Sequence, residues 1–229
     1  MLKNNRLALD ALKAIIFDFD GVLAESVEIK TMAFRELFKD YPEELKQFIP
    51  YHLKHSGISR FAKIRYFFQE LKKEQLSDQR LNELCARYSS LVVDQVVNAP
   101  FVKGALDLLG HCRGKYRLFV ISGTPEAEMR LIIRRRKMEH YFDGVYGSPK
   151  KKIEILKGIN RDNALNTRQM VFFGDALTDL EAAEYFDMPF IARIDDSNKS
   201  FFEGKKTITL RIRDLAEADA LFRTQHSKV

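Results

Sequence analysis

Residues 14–26 read AIIFDFDGVLAES, and this stretch decides how the rest of the chain is read. Ala14 to Phe17 form the short apolar run expected of a parallel strand buried on both faces. Asp18 and Asp20 follow, with Gly21 just beyond. A period of two puts both carboxylates on one side and Phe19 on the other. Like charges on one face repel, and packing gives no reason to place them there. A cation relieves the repulsion, and a transferring phosphoryl group gives each acid work: one attacks phosphorus while the other shuttles a proton. The alternative is a solvated strand end whose acids cap the next turn.

At 229 residues the chain can form one large core, or a core with a smaller insertion. Its 45% hydrophobic and 31% charged content fits a soluble globular protein. The opening MLKNNRLALDALK carries charge in every turn, unlike a signal peptide, and no run approaches the roughly 18 apolar residues of a membrane span. Cys85 and Cys112 suggest no disulfide framework, so a reducing cytoplasm and no membrane partner are expected. The net charge of +6 favours anionic ligands in general. Its densest run, Arg134 to Lys137, falls at a helix end and is not interleaved with aromatics, so no nucleic-acid partner is expected. His52 and His55 have no cysteine or acid beside them to complete a zinc set.

From Ser26 to Asn98 the periodicity is helical. Ile29, Met32, Ala33 and Leu37 mark one helix, residues 43–54 a second, and Ser59 caps a third. The stripe Leu81, Leu84, Cys85, Tyr88, Leu91, Val92, Val96 marks the fourth. Helices and strands then alternate, with strands near 117–121, 144–146, 170–173, 189–194 and 207–212. Thr124-Pro125-Glu126 reads as an N-cap, first-turn proline and early acid. The last few residues, from about Thr224, read as disordered. The fold class is therefore α/β, a Rossmann-like parallel sheet with helices on both faces, plus an inserted all-helical block. Residues 1–25 and 99–229 form the core, and 26–98 the insertion, with hinges near 22–26 and 98–103. Ligands of such sheets bind outside the carboxyl ends of the strands, where Asp18 and Asp20 sit and where the insertion would form a lid.

Other strand ends should meet at that edge. Ser122 and Gly123 follow one strand and could hold phosphate oxygens near a helix N-terminus. GSPKKK follows the next, with Pro149 a natural first-turn residue of the following helix, so Lys150, Lys151 and Lys152 face different directions on it and spacing alone does not choose among them. VFFGDALTD follows the fourth, with Asp175 at the strand end and Asp179 in the first helical turn, where a cap role is the alternative. Asp18, Asp20 and Asp175 offer hard oxygen ligands, which suit magnesium better than zinc or copper.

Together these segments resemble the four motifs of the haloacid dehalogenase superfamily: DFDGVLAES the first, ISGT the second, the lysine cluster the third and GDALTD the fourth. The helical insertion is similar to the caps of the phosphoglycolate-phosphatase-like and β-phosphoglucomutase-like branch. The resemblance implies that Asp18 is a nucleophile forming an aspartyl-phosphate and that Asp20 is the acid/base. It implies Mg2+ held by Asp18, the Asp20 carbonyl and Asp175, with Asp179 behind them, and phosphoryl binding by Ser122 and Gly123. GSPKKKIEIL resembles members that select Lys152, with Lys150 in reserve. SGISRF resembles a substrate-gripping cap segment and nominates Arg60, with Lys63 one turn on. Glu25 stands where an aspartate is usual, and Lys30 where some mutase-like members have histidine. The implied activity is a phosphatase acting on a small phosphorylated metabolite, by a monomer or homodimer. A sugar phosphomutase using the same chemistry is the alternative, and a non-catalytic binding protein a third reading.

Overall fold

The computed structural model describes residues 9–226. Strand β1 (Ala14–Phe17) is fully buried and lies inside a parallel sheet. It pairs on one side with β2 (Arg117–Pro125) and on the other with β4 (Met170–Gly174). With β3 (Gly144–Ser148), β5 (Phe190–Arg193) and β6 (Leu210–Ile212), the order is β3-β2-β1-β4-β5-β6. The strand has no solvent face, which is why its sequence is a continuous apolar run. Ile15 and Phe17 enter the layer that contains Leu108, Ile132 and Phe222. Ala14 and Ile16 enter the opposite layer, against Ile155 and Leu180.

Between Val27 and Asn98 the described chain is helical: α1 (Val27–Leu37), α2 (Pro42–Lys54), α3 (Arg60–Tyr66) and α4 (Asp78–Asn98), with a π-turn at Phe67–Leu71 continuing α3. Its centre is aromatic. Phe48, fully buried, lies 5.1 Å from Phe34, 5.3 Å from Phe38 and 5.4 Å from Phe67 between ring centroids. The two segments joining this block to the sheet are hydrogen-bonded to each other, Glu25 N to Pro100 O at 2.9 Å and Val102 N to Leu23 O at 3.1 Å. The remaining helices, α5 (Ala105–Cys112), α6 (Glu126–Arg135), α7 (Lys152–Asp162), α8 (Leu177–Tyr185) and α9 (Leu215–His226), flank the sheet. No helix among the described residues is long and apolar enough to cross a membrane.

Four local expectations are corrected. Met32 is 53% exposed, and the inward position belongs to Thr31, whose hydroxyl has buried polar partners. β2 continues to Pro125, so Thr124 is a strand residue and α6 starts at Glu126. α7 starts at Lys152, not at Pro149, because Lys151 is its N-cap and its N–H donates to Glu154 Oε2 at 3.0 Å. α9 runs on to His226, past the expected disorder from Thr224; residues 227–229 lie outside the described chain.

The aromatic centre of the helical block makes a direct prediction. Phe48→Ala should destabilise the protein by about 3–5 kcal/mol, the cost of emptying a fully packed aromatic site, read from urea unfolding. A loss below about 1 kcal/mol would mean that the block is not packed around this ring.

Candidate active site

The carboxyl ends of β1, β2 and β4 converge with the first residue of α7. Asp18 continues the β1 ladder, its N–H donating to Phe173 O at 2.9 Å, and its side chain is buried. Lys152 Nζ donates to Asp18 Oδ2 at 2.8 Å and also to Asp179 Oδ1. Asp179 is fully buried and accepts the Ala176 N–H at 3.1 Å, so it caps α8 and aims Lys152 at once. Because α7 begins at Lys152, this lysine points back over the sheet edge, while Lys150 is exposed in the preceding loop and is not brought to the cluster. Burial favours a neutral Lys152, but Asp179 and Asp18 outweigh it and raise its pKa.

Asp18, Asp175 and Asp179 each offer a carboxylate oxygen, and these atoms lie within 4.8 Å of one another. Burial pushes Asp18 up to about 7, with Lys152 opposing and Asp179 and Asp20 adding. Asp175 is pushed well above the usual carboxylate range by burial and then by Asp18 and Asp179. Hard oxygen donors crowded out of water and short of positive charge fit a divalent cation of the Mg2+ type. The cradle is tight. Gly21 has φ +74°, and a Cβ there would meet Asp175 Oδ2 at 2.1 Å. Arg193 fixes the same turn, donating to Gly21 O at 2.9 Å and to both Glu25 carboxylate oxygens at 2.9 and 2.7 Å.

Asp20 has separate partners. Ser26 Oγ donates to its Oδ1 at 2.6 Å, and Lys30 Nζ and Ser122 Oγ donate to Oδ2, the latter at 3.3 Å. Lys30 also donates to Thr124 Oγ1 at 2.7 Å. Burial alone would raise the Asp20 pKa, yet the Lys30 ion pair and the hydrogen bonds lower it. The two carboxylates two residues apart are thus held in different states, Asp18 pushed up and Asp20 pushed down.

The helical block covers this edge. Lys30 and Phe34 of α1, His52 of α2, Arg60 and Lys63 of α3 and Tyr88 of α4 face Asp18, Asp20, Gly123, Thr124 and Asp175 across a cavity of about 40 Å³. That is space for a few waters and not for a sugar phosphate. The contact is close at Gly123, where a Cβ would lie 2.7 Å from Gly57 O. Arg60 lines the cavity as expected, but its guanidinium is already engaged. It pairs with Glu128 of α6, donates to Ser89 Oγ at 2.9 Å and sits 4.7 Å over the Tyr88 ring. Arg60 therefore joins the helical block to the sheet domain in this state. Sequence reasoning missed Thr124, read as a helix cap, and Glu128, which carries no motif. It noted Lys30 only as a departure, and His52 only as an incomplete zinc set.

The model of the haloacid dehalogenase-like hydrolase family matches residues 15–193, and the chain belongs to that family. The match takes in the sheet edge and the helical block alike. A protein of Thermotoga maritima named phosphorylated carbohydrates phosphatase is 27% identical over 184 residues, covering 76% of this chain and 81% of its own. CbbY from Rhodobacter sphaeroides, solved with phosphate, superposes with a TM-score of 0.72 at 21% identity, over 90% of this chain and 96% of that one. β-Phosphoglucomutase from Clostridium difficile gives 0.73 at 16% identity, over 95% and 100%. At these identities the solved structures establish a shared fold.

Asp18 binds its proton more tightly folded than unfolded, so without a cation the protein loses stability as pH rises from about 4 through about 7. A bound cation must displace that proton and offsets the loss. Millimolar Mg2+ should therefore raise Tm more at about pH 8 than at about pH 6. Gly21→Ala, which drives Asp175 out of the cradle, should abolish the Mg2+ response. An equal response at both pH values, or in the variant, would mean the cation binds elsewhere.

Proposed function

We propose that this chain is a Mg2+-dependent phosphatase acting on a small phosphorylated carbohydrate or related acid through an aspartyl-phosphate on Asp18. The observation that carries the reading is the separate handling of the two carboxylates. Asp18 is charge-balanced by Lys152 within a set of cation-binding acids, while Asp20 faces the cavity in a hydroxyl and lysine network of its own. The family membership and the name of the Thermotoga maritima relative support the same class of chemistry.

In this reading an Asp18 oxygen attacks phosphorus, and the bond from phosphorus to the leaving oxygen breaks. Asp20, ionised while paired with Lys30, takes up a proton when the anionic substrate draws Lys30 away, and gives it to that oxygen. In the second half Asp20 takes a proton from water as the water attacks phosphorus, the acyl-phosphate bond breaks, and phosphate and free Asp18 are regenerated. Lys152 steadies Asp18 and meets the phosphoryl charge, and the Ser122 hydroxyl with the backbone at Gly123 receives phosphoryl oxygens. Asp18, the Asp20 carbonyl and Asp175 would hold Mg2+, with Asp179 orienting Lys152 behind them. Bound there, the ion supplies charge neutralisation to the phosphoryl oxygens. Residues 26–98 act as a cap domain that opens to admit substrate and closes through the Arg60–Glu128 pair, excluding water from the reacting atoms.

Hydrolysis of p-nitrophenyl phosphate with Mg2+ tests the proposal. Wild-type protein should turn it over, and Asp18→Asn should reduce kcat by at least about a thousandfold while leaving the unfolding curve intact. Near-wild-type turnover by the variant would remove Asp18 as nucleophile. No turnover of any phosphate ester in a broad panel by folded protein would remove the phosphatase reading. A rearranged sugar phosphate in place of free phosphate would make the enzyme a mutase.

A further inference from the structure

The cavity wall carries a charge that the chemistry above does not use. Lys63 is 2% exposed and lines the cavity from α3. Its Nζ donates to His52 Nδ1 at 2.7 Å, His52 O at 3.2 Å and Ser56 O at 3.4 Å. All three acceptors are neutral. The neighbouring cations each have a carboxylate: Lys30 has Asp20, Arg60 has Glu128, and Lys152 has Asp18 and Asp179. Lys63 forms no such pair among the described residues, and burying a cation without one is costly.

The network around it fixes direction. The Thr31 hydroxyl donates its one proton to Val27 O at 3.0 Å, so it accepts from His52 Nε2 at 3.1 Å. His52 is then protonated on Nε2, and its Nδ1 lone pair faces Lys63. Burial first, then Lys63 and Lys30, hold His52 neutral, with its pKa near about 2. Two buried side chains are thus spent on presenting one ammonium to the cavity. The longest of its three bonds, to Ser56 O, is weak at 3.4 Å, and Ser56 itself lines the cavity, so that N–H can be redirected inward.

We propose that Lys63, held by His52 and Thr31, is the subsite for a second anionic group on the substrate, a carboxylate or second phosphate borne by the part beyond the scissile ester. The proposal rests on the phosphatase reading for the position of the first phosphate. A neutral hydroxyl would merely replace one carbonyl acceptor by another, whereas an anion supplies the missing counter-charge. Lys63 is surrounded by His52 on α2, Lys30 on α1, Arg60 on its own helix, Tyr88 on α4, Asp20 and Asp175 at the sheet edge and Lys152 on α7. Burial, then Lys30, lower its proton affinity, with Asp20 and Asp175 opposing. An anion bound against it raises that affinity, so binding takes up a proton when the pH lies above the pKa of the free site.

The test uses Asp18→Asn protein, which binds without turning over, and matched pairs of probes: glycerol 1-phosphate against 3-phosphoglycerate, glucose 6-phosphate against 6-phosphogluconate, and fructose 6-phosphate against fructose 1,6-bisphosphate. In at least one pair the second anion should tighten binding by about 10- to 100-fold. Calorimetry in buffers of different ionisation enthalpy should show proton uptake for that member alone. Adding Lys63→Met should remove both the preference and the uptake, and Lys63→Arg should keep the preference. Loss of binding by equal factors for both members of the pair, with folding intact, would overturn the proposal. So would the absence of any second-anion preference before Lys63 is changed, a result that does not depend on the variant folding. Turnover of p-nitrophenyl phosphate by wild-type protein separates the two readings: its presence with no second-anion preference removes the subsite and leaves the phosphatase.

Discussion

Buried negative charge at the ends of β1 and β4 is the constraint on which the rest of this structure depends. Asp18, Asp20, Asp175 and Asp179 crowd one edge of a sheet whose central strands, β1 and β4, are buried along their whole length. Lys152 and Lys30 contact three of them directly. With all four acids ionised, two negative charges remain, which is the charge of one divalent cation. The raised pKa values of Asp18 and Asp175 are the same deficit expressed in protons. A site that must choose between protons and a cation is poised to bind the cation once the pH favours the carboxylates. Gly21, Arg193 and Glu25 keep the turn after β1 in the shape that lets Asp175 stand beside Asp18.

That constraint also explains the position of the helical block. α1 and α3 bring Lys30, Arg60 and Lys63 to a sheet edge that is otherwise acidic, so the contact between block and sheet is electrostatic as well as apolar. The linking segments are bonded to each other, so the block is tied to the sheet at one place. The cavity beneath the block, about 40 Å³, is too small for a sugar phosphate, so the proposed function requires the block to move. The Arg60–Glu128 pair ties α3 of the block to α6 beside the sheet.

The sheet and the acids were legible in the sequence because each follows from a short-range rule. A four-residue apolar run followed by alternating acids fixes β1 and both carboxylates, and Gly174-Asp175 repeats the device at the end of β4. The lysine was not legible from spacing alone: rotating by one residue on a helix turns a side chain by about 100°, so Lys152 rather than Lys150 depends on where α7 starts. The Lys151–Glu154 bond that sets this start is itself readable only once the helix is known. Thr124 was misread because a threonine before proline and glutamate satisfies the local rules of a helix cap, while tertiary pairing with β3 extends β2 through it. Met32 and Thr31 were exchanged for a related reason. Hydropathy assigns methionine inward, but a buried histidine on α2 gives the threonine hydroxyl a partner there.

Lys30, Glu128 and Lys63 show where pattern reading stops. Each acquires its role from a residue distant in sequence: Asp20 and Thr124 for Lys30, Arg60 for Glu128, and His52 for Lys63. Exposed on a helix, any of them would be an unremarkable charge worth a few tenths of a kcal/mol. Burial changes that scale, because inside the protein an ionised side chain must find a counter-charge or lose its proton. Lys30, Arg60 and Lys152 have found theirs within the chain. Lys63 has neutral acceptors only, and it stands on the cavity wall across from Asp18 and Asp20. This buried lysine therefore lies where a ligand's own charge can supply the partner that the described residues do not, and the subsite proposed above would tie specificity to the same electrostatic balance that organises the acidic edge.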